Sequence, residues 1–267
     1  MYISMRLARI LCVLAAAFVL LVVYLFATPP AQGVPILEYH MVNDSPVQGA
    51  EKYAVSVKDF EEQLDYLESQ GYHTIRMIDF IKAKKGKFKL PEKPVILTFD
   101  DGYEDNYTEM MPRITKRGMT ATVYVVVNDI GRDGYLTWDQ MREMQAAGIE
   151  IGCHTGDHVP ITELSDEERA YEVKTPKLLM EWNGINTVFS FSYPNGKYDE
   201  KTPKLLKDSE YLSAVTGDAG LNTFDTDPYL MQRINIPPPR FGITEFKLRL
   251  LKADIMTKLG ILQHKVK

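Results

Sequence analysis

The chain has 267 residues, 45% hydrophobic and 25% charged, with only two cysteines. That balance excludes a disordered chain, a collagen-like repeat and a disulfide scaffold, and the length holds one large domain or two small ones. Taking Arg6 and Arg9 from the 31 basic residues leaves 29 against 36 acidic ones, a net charge of −7 beyond residue 33 that argues against nucleic acid as a partner.

Only one apolar run is long, which excludes a multi-span membrane protein. It covers residues 10–26, 17 uncharged positions behind Arg6 and Arg9, and is about 26 Å long as a helix, near the lower limit of a bilayer span. Arginines on that side place the N-terminus in the cytoplasm and the rest outside. Residues 1–27 are therefore read as one N-terminal transmembrane helix, in preference to a cleaved signal peptide, whose apolar region is usually shorter. Both readings export the domain. Residues 28–33 form a linker, and residues 34–267 are read as one domain.

After the linker, apolar runs rich in β-branched residues alternate with amphipathic ones. The first strand is expected over 34–39. Ser56 can cap a helix that has Phe60, Leu64 and Leu67 on one face and ends at Gly71. A strand over 95–99 precedes a helix capped by Asn106 and closed by Gly118, followed by a strand over 120–127. Thr137 to Gln140 reads as a capping box for a helix ending at Gly148, ahead of a strand over 149–153. Ser165 with Glu168 repeats the box, Gly184 is the stop, and Pro176 predicts a kink or a split. Strands over 188–192 and 211–216 follow. This alternation predicts an α/β domain with a parallel sheet; a barrel and an open doubly wound sheet both fit it. Cys12 lies in the apolar run, so the exported domain has no internal disulfide. Cys153 alternates with Ile149 and Ile151 and is read as a small buried strand residue rather than a ligand. The lysine groups at 82–89 and 247–267 are read as solvated faces.

The chemistry gathers where strands end. Val95-Ile96-Leu97 runs into Thr98-Phe99-Asp100-Asp101-Gly102, two adjacent carboxylates before a glycine turn that can turn both toward one pocket. One carboxylate could hold a metal while the other acts as a base. Cys153 is followed by His154 and His158, four apart, and neutral imidazole is a favoured ligand of zinc and its neighbours. Tyr39-His40 closes another apolar strand, and Phe191-Ser192 runs into the turn Tyr193-Pro194-Asn195-Gly196, a type that exposes backbone N–H groups.

With these motifs in this order, residues 34–240 resemble the polysaccharide deacetylase family of metal-dependent carbohydrate esterases. Thr98 to Gly102 is similar to that family's Thr-Phe-Asp-Asp-Gly motif, and His154-Thr155-x-x-His158 to its His-Ser/Thr-x-x-His motif. The resemblance implies a distorted, incomplete (β/α) barrel. It implies Asp101, His154 and His158 as metal ligands, Asp100 as general base and the backbone N–H of Asn195 as oxyanion donor. The metal would be Zn²⁺, with Co²⁺, Ni²⁺ or Fe²⁺ as alternatives. Ser192 stands where the family carries an arginine that orients the base; Arg233 is the candidate to replace it. Relatives acting on poly-N-acetylglucosamine begin the domain with a Tyr-His strand, which assigns the acid to His40 over His264. Trp138 and Tyr193 are expected to stack on sugar rings. The implied activity is N-deacetylation of an N-acetylglucosamine-containing extracellular or cell-wall glycan. Alternatives are an O-deacetylase or a glycan-binding pseudoenzyme.

Overall fold

The computed structural model describes residues 2–261. Helix α1 (Tyr2–Ala27) holds the stretch Arg6–Leu25, with mean hydropathy 2.6 and none of it buried, so it is long and apolar enough to cross a membrane. The domain that follows is built from strands β1 (Ile36–Tyr39), β2 (Met41–Val42), β3 (Ala54–Val55), β4 (His73–Thr74), β5 (Pro94–Phe99), β6 (Thr122–Val125), β7 (Glu150–Cys153), β8 (Ser190–Ser192), β9 (Ser213–Val215) and β10 (Ile234–Asn235). Between them run helices α2 (Val57–Ser69), α3 (Met77–Lys84), α4 (Met111–Lys116), α5 (Trp138–Ala146), α6 (Asp166–Trp182) and α7 (Thr202–Asp208); α8 (Ile243–Lys258) follows β10.

The main sheet runs β10-β1-β5-β6-β7-β8-β9, every pair parallel, with β4 added beside β5. It curls until its ends meet: Met231, three residues before β10, bridges Val215 of β9. The seam is this one bridge rather than a full ladder. The molecule is thus the distorted, incomplete barrel that the resemblance implies, a curled parallel sheet rather than a flat open one.

The strands are short, β-branched and buried on both faces, as parallel strands covered by helices must be. Around them Tyr39 and Phe99 stack at 5.1 Å and meet the edge of Phe60 at 5.6 and 5.9 Å, which fixes α2 on the sheet. Ser56, Thr137 and Ser165 cap α2, α5 and α6 as their sequences predict.

Two local expectations are corrected. Asn106 does not cap a helix; it opens a π-helical turn (Asn106–Met110) ahead of α4, and its buried amide donates to the carbonyl of His40 at 2.9 Å. Pro176 does not split α6, which runs unbroken through it. The strands at 34–39, 120–127 and 211–216 are also shorter than predicted, spanning Ile36–Tyr39, Thr122–Val125 and Ser213–Val215.

Candidate metal and catalytic centre

All strands of the main sheet point the same way, so the residues that follow them emerge on one rim. Register then decides which become neighbours. Tyr39 pairs with Phe99, which brings His40 beside Asp100; the Asp100 N–H donates to the Tyr39 carbonyl at 3.0 Å. Cys153 pairs with Phe191, which brings His154 beside Ser192. A small cleft on this rim is lined by His40, Asp100, Asp101, His154, His158, Asn195 and Arg233, together with Glu38 and Tyr53.

The loops at the rim are held in unusual conformations. Six non-glycine residues have positive φ among those described, and four of them belong to this site: Asp101 (75°), Thr155 (70°), His158 (56°) and Asn195 (56°). Such backbone persists only where its surroundings over-determine it. Gly102 has φ 78°, and a Cβ there would lie 2.8 Å from Val125 Cγ1, so the turn that exposes Asp101 requires glycine.

One face of the cleft carries a ligand set. Asp101 Oδ1 lies 3.5 Å from His154 Nε2 and 3.4 Å from His158 Nε2. The ligand-type atoms of the three residues all fall within 4.8 Å of one another. His154 Nδ1 lies 2.8 Å from the Ser192 carbonyl; donation there fixes the tautomer and leaves the Nε2 lone pair for the cleft. Asp101 Oδ1 is buried with no hydrogen-bond partner among the described residues. A buried, unsatisfied carboxylate oxygen is costly, and a cation between it and the two imidazoles would satisfy it. The donor set of two nitrogens and one oxygen, open on the cleft side, fits a divalent transition metal.

The other face carries Asp100, buried and held from three directions. Arg233 Nη1 donates to Oδ1 and Nη2 to Oδ2, both at 2.8 Å, and Ser192 Oγ donates to Oδ2 at 3.0 Å. Arg233 is itself buried, with Nη2 also on Glu38 Oε1 at 3.2 Å and Nε on the Thr216 carbonyl at 3.2 Å. Burial pushes the Asp100 carboxyl up, but the Arg233 guanidinium foremost, with His154, outweighs it and holds the group well below the usual carboxylate range.

The structure thus brings Asp100, Asp101, His154, His158, His40, Asn195 and Arg233 to one place. His40 sits with its ring 5.1 Å from that of Tyr53, and its ligand-type nitrogen lies within 4.8 Å of those of Glu38 and Asp100. Leu262-Gln263-His264 lies outside the described residues. Tyr193 does not reach the cleft: its side chain is buried against Phe191 and Tyr198, and its hydroxyl donates to the Tyr229 carbonyl at 3.0 Å. The expectation of sugar stacking there is corrected, since a side chain after a strand end points inward as readily as outward. Trp138 opens α5, half-buried against the core, and is not among the residues lining the cleft. Sequence reading missed Glu38 and Tyr53. A carboxylate inside the apolar strand Ile36-Leu37-Glu38-Tyr39 was a usable signal; Tyr53, between two short strands, gave none.

Comparison with known proteins bears on the family and the fold. A family model described as polysaccharide deacetylase matches residues 87–214. The chain is 32% identical over 209 residues to YxkH of Bacillus subtilis, a protein named as a polysaccharide deacetylase, covering 78% of this chain and 73% of that one. It is 25% identical over 204 residues to the poly-β-1,6-N-acetyl-D-glucosamine N-deacetylase of Staphylococcus epidermidis, covering 71% and 70%. Among solved structures, the deacetylase PplD of Streptococcus pyogenes, in complex with acetate, superposes with a TM-score of 0.74 at 25% identity, covering 85% of this chain and 99% of that one. IcaB of Ammonifex degensii superposes with a TM-score of 0.72 at 25% identity, covering 83% and 98%.

Proposed function

The chain belongs to the polysaccharide deacetylase family, and from that premise we propose that it hydrolyses the acetamide of N-acetylglucosamine units in an extracellular or cell-wall polysaccharide, releasing acetate and a free amine. The observation that carries the reading is the orphaned, buried oxygen of Asp101 facing two imidazole nitrogens, with the ionised Asp100 alongside.

Asp101, His154 and His158 would hold the metal, Zn²⁺ by its preference for this donor set. When bound, such an ion acidifies a water and polarises the acetamide carbonyl. The protein's own groups do the rest. Asp100, ionised and aimed by Arg233 and Ser192, accepts the proton of the attacking water. The N–H of Asn195, held at φ 56° on the rim, donates to the developing oxyanion. His40, which lines the same cleft beside Asp100, gives a proton to the departing amine. Helix α1 retained in the membrane would keep the domain outside the cell, where such polymers lie.

Acetate release is to be measured on oligomers of β-1,6- and β-1,4-linked N-acetylglucosamine and on acetylated xylan, before and after chelation and with Zn²⁺ restored. Release from the amino sugars alone, lost on chelation and regained with metal, is the expected result. Release only from xylan would make the protein an O-deacetylase. The variant Asp100→Asn is expected to lose turnover while retaining metal; full activity in it would remove Asp100 as the base.

A further inference from the structure

We propose that Glu172, on the inner face of α6, is a positioning residue for the loop that carries His154 and His158. It fixes the backbone between the two imidazoles and so sets their directions. The inference rests on reading these histidines as metal ligands.

The loop is short, and its main chain does not hold itself. Thr155 and His158 both have positive φ, a conformation that needs outside support. Part of that support is local, the His158 N–H donating to Thr155 Oγ1 at 2.9 Å, and part comes from β6, whose Val125 carbonyl accepts from the His154 N–H at 2.8 Å. On one flank, the N–H groups of Val127 and Asn128 donate to the carbonyls of Thr155 and Gly156 at 3.1 and 3.0 Å. On the other flank, among the described residues, only Glu172 reaches the middle of the loop. Its Oε2 accepts from the N–H of Gly156 at 2.8 Å and from that of Asp157 at 3.0 Å.

Two further observations favour a dedicated contact. Glu172 is buried beside Val173, on a face of α6 where an apolar residue would pack at no desolvation cost. Among the described residues it has no ion-pair partner; its charge is met by amide N–H groups of the loop. Gly156 also adapts to it: a Cβ there would lie 3.1 and 3.3 Å from the two carboxylate oxygens, and the backbone at this glycine is not left-handed. The glycine therefore serves close approach rather than conformation. Main-chain donors aimed at one buried oxygen are strong and directional. Groups that orient metal-binding side chains typically change affinity by about 10- to 100-fold when removed.

The test uses the full chain, stripped of metal, as wild type, Glu172→Ala, Glu172→Gln and Glu172→Asp. Three quantities are read: Zn²⁺ affinity by competition with a chromophoric chelator, amide hydrogen exchange at Gly156 and Asp157 in the metal-free protein, and the thermal midpoint. Glu172→Ala is expected to bind Zn²⁺ about tenfold or more weakly. Its exchange should rise at these two amides but not across the strands. Glu172→Gln keeps a carbonyl oxygen in place and is expected to stay near wild type. Wild-type affinity and exchange in a folded Glu172→Ala would overturn the proposal, as would exchange that rises uniformly through the domain. Where Glu172→Ala does not fold, the shorter carboxylate of Glu172→Asp decides: weaker binding there, with Glu172→Gln unaffected, supports the clamp, and equality of both with wild type overturns it. If wild type itself binds no Zn²⁺, the metal reading fails, and the exchange comparison between the Ala and Gln variants alone decides the clamp.

Discussion

The most consequential single pairing is that of Asp100 with Arg233. Ser192 occupies the position where the resembling family carries an arginine, and the guanidinium arrives instead from Arg233 on the approach to β10. Both partners are buried, so Arg233→Ala would leave an uncompensated charge and is expected to cost about 3–5 kcal/mol of stability, measurable by urea unfolding. Arg233→Lys keeps a charge without the two-pronged contact. The Asp100 pKa then rises, so the acid limb of the pH profile for acetate release is expected to move to higher pH; an unmoved limb would separate Arg233 from the base. Asp105 titrates in the opposite sense. Burial foremost raises its pKa to about 6, against hydrogen bonds from the Val42 N–H and the amides of Asn43 and Asn106 that lower it. A carboxyl raised above its unfolded value stabilises below pH 4 and loses that contribution as pH rises to about 6. The wild type is therefore expected to lose up to about 3 kcal/mol relative to Asp105→Asn between those values, seen by chemical denaturation across pH. Asp100, Asp101, His154 and His158 were legible because they come just after short β-branched apolar runs that the alternation of the chain reads as strands. Tyr193 was misread because adjacency to a motif says nothing about which way a side chain faces.

At the scale of elements, strand direction does the assembling and glycine turns do the aiming. The turn after β5 fails without Gly102. Gly102→Ala adds a methyl against Val125 and forces φ 78° on an L-residue, an expected loss of about 2–4 kcal/mol with acetate release abolished; wild-type stability in this variant would contradict the geometry. The longer strands and the capped helices could be predicted because their signals are local: serine or threonine caps, apolar faces at helical spacing, glycine stops. Strand β10 could not. It is two residues long, and its place beside β1 is set by a barrel that closes across nearly 200 positions of sequence. The π-helical turn at Asn106 was equally hidden, since its cause is tertiary: a buried amide bound to the His40 carbonyl.

For the whole molecule, the domain and α1 are nearly independent. The helix is exposed along its apolar stretch, and its last turn touches the domain through Lys258, whose Nζ donates to the Leu25 carbonyl at 2.9 Å. A chain lacking residues 1–27 is expected to keep its thermal midpoint within a few degrees and to release acetate from soluble oligomers at the full rate; collapse of its cooperative unfolding would show that α1 belongs to the core. The parallel sheet then has a geometric corollary. The chain enters β1 at Ile36 and the residues lining the cleft leave it at His40, so the end of β1 that faces α1 in sequence and the cleft lie at opposite poles of the barrel. Were α1 held in a membrane as proposed, a linker whose six residues reach about 20 Å when stretched would turn the cleft away from the lipid, toward strands of polymer within that reach of the cell.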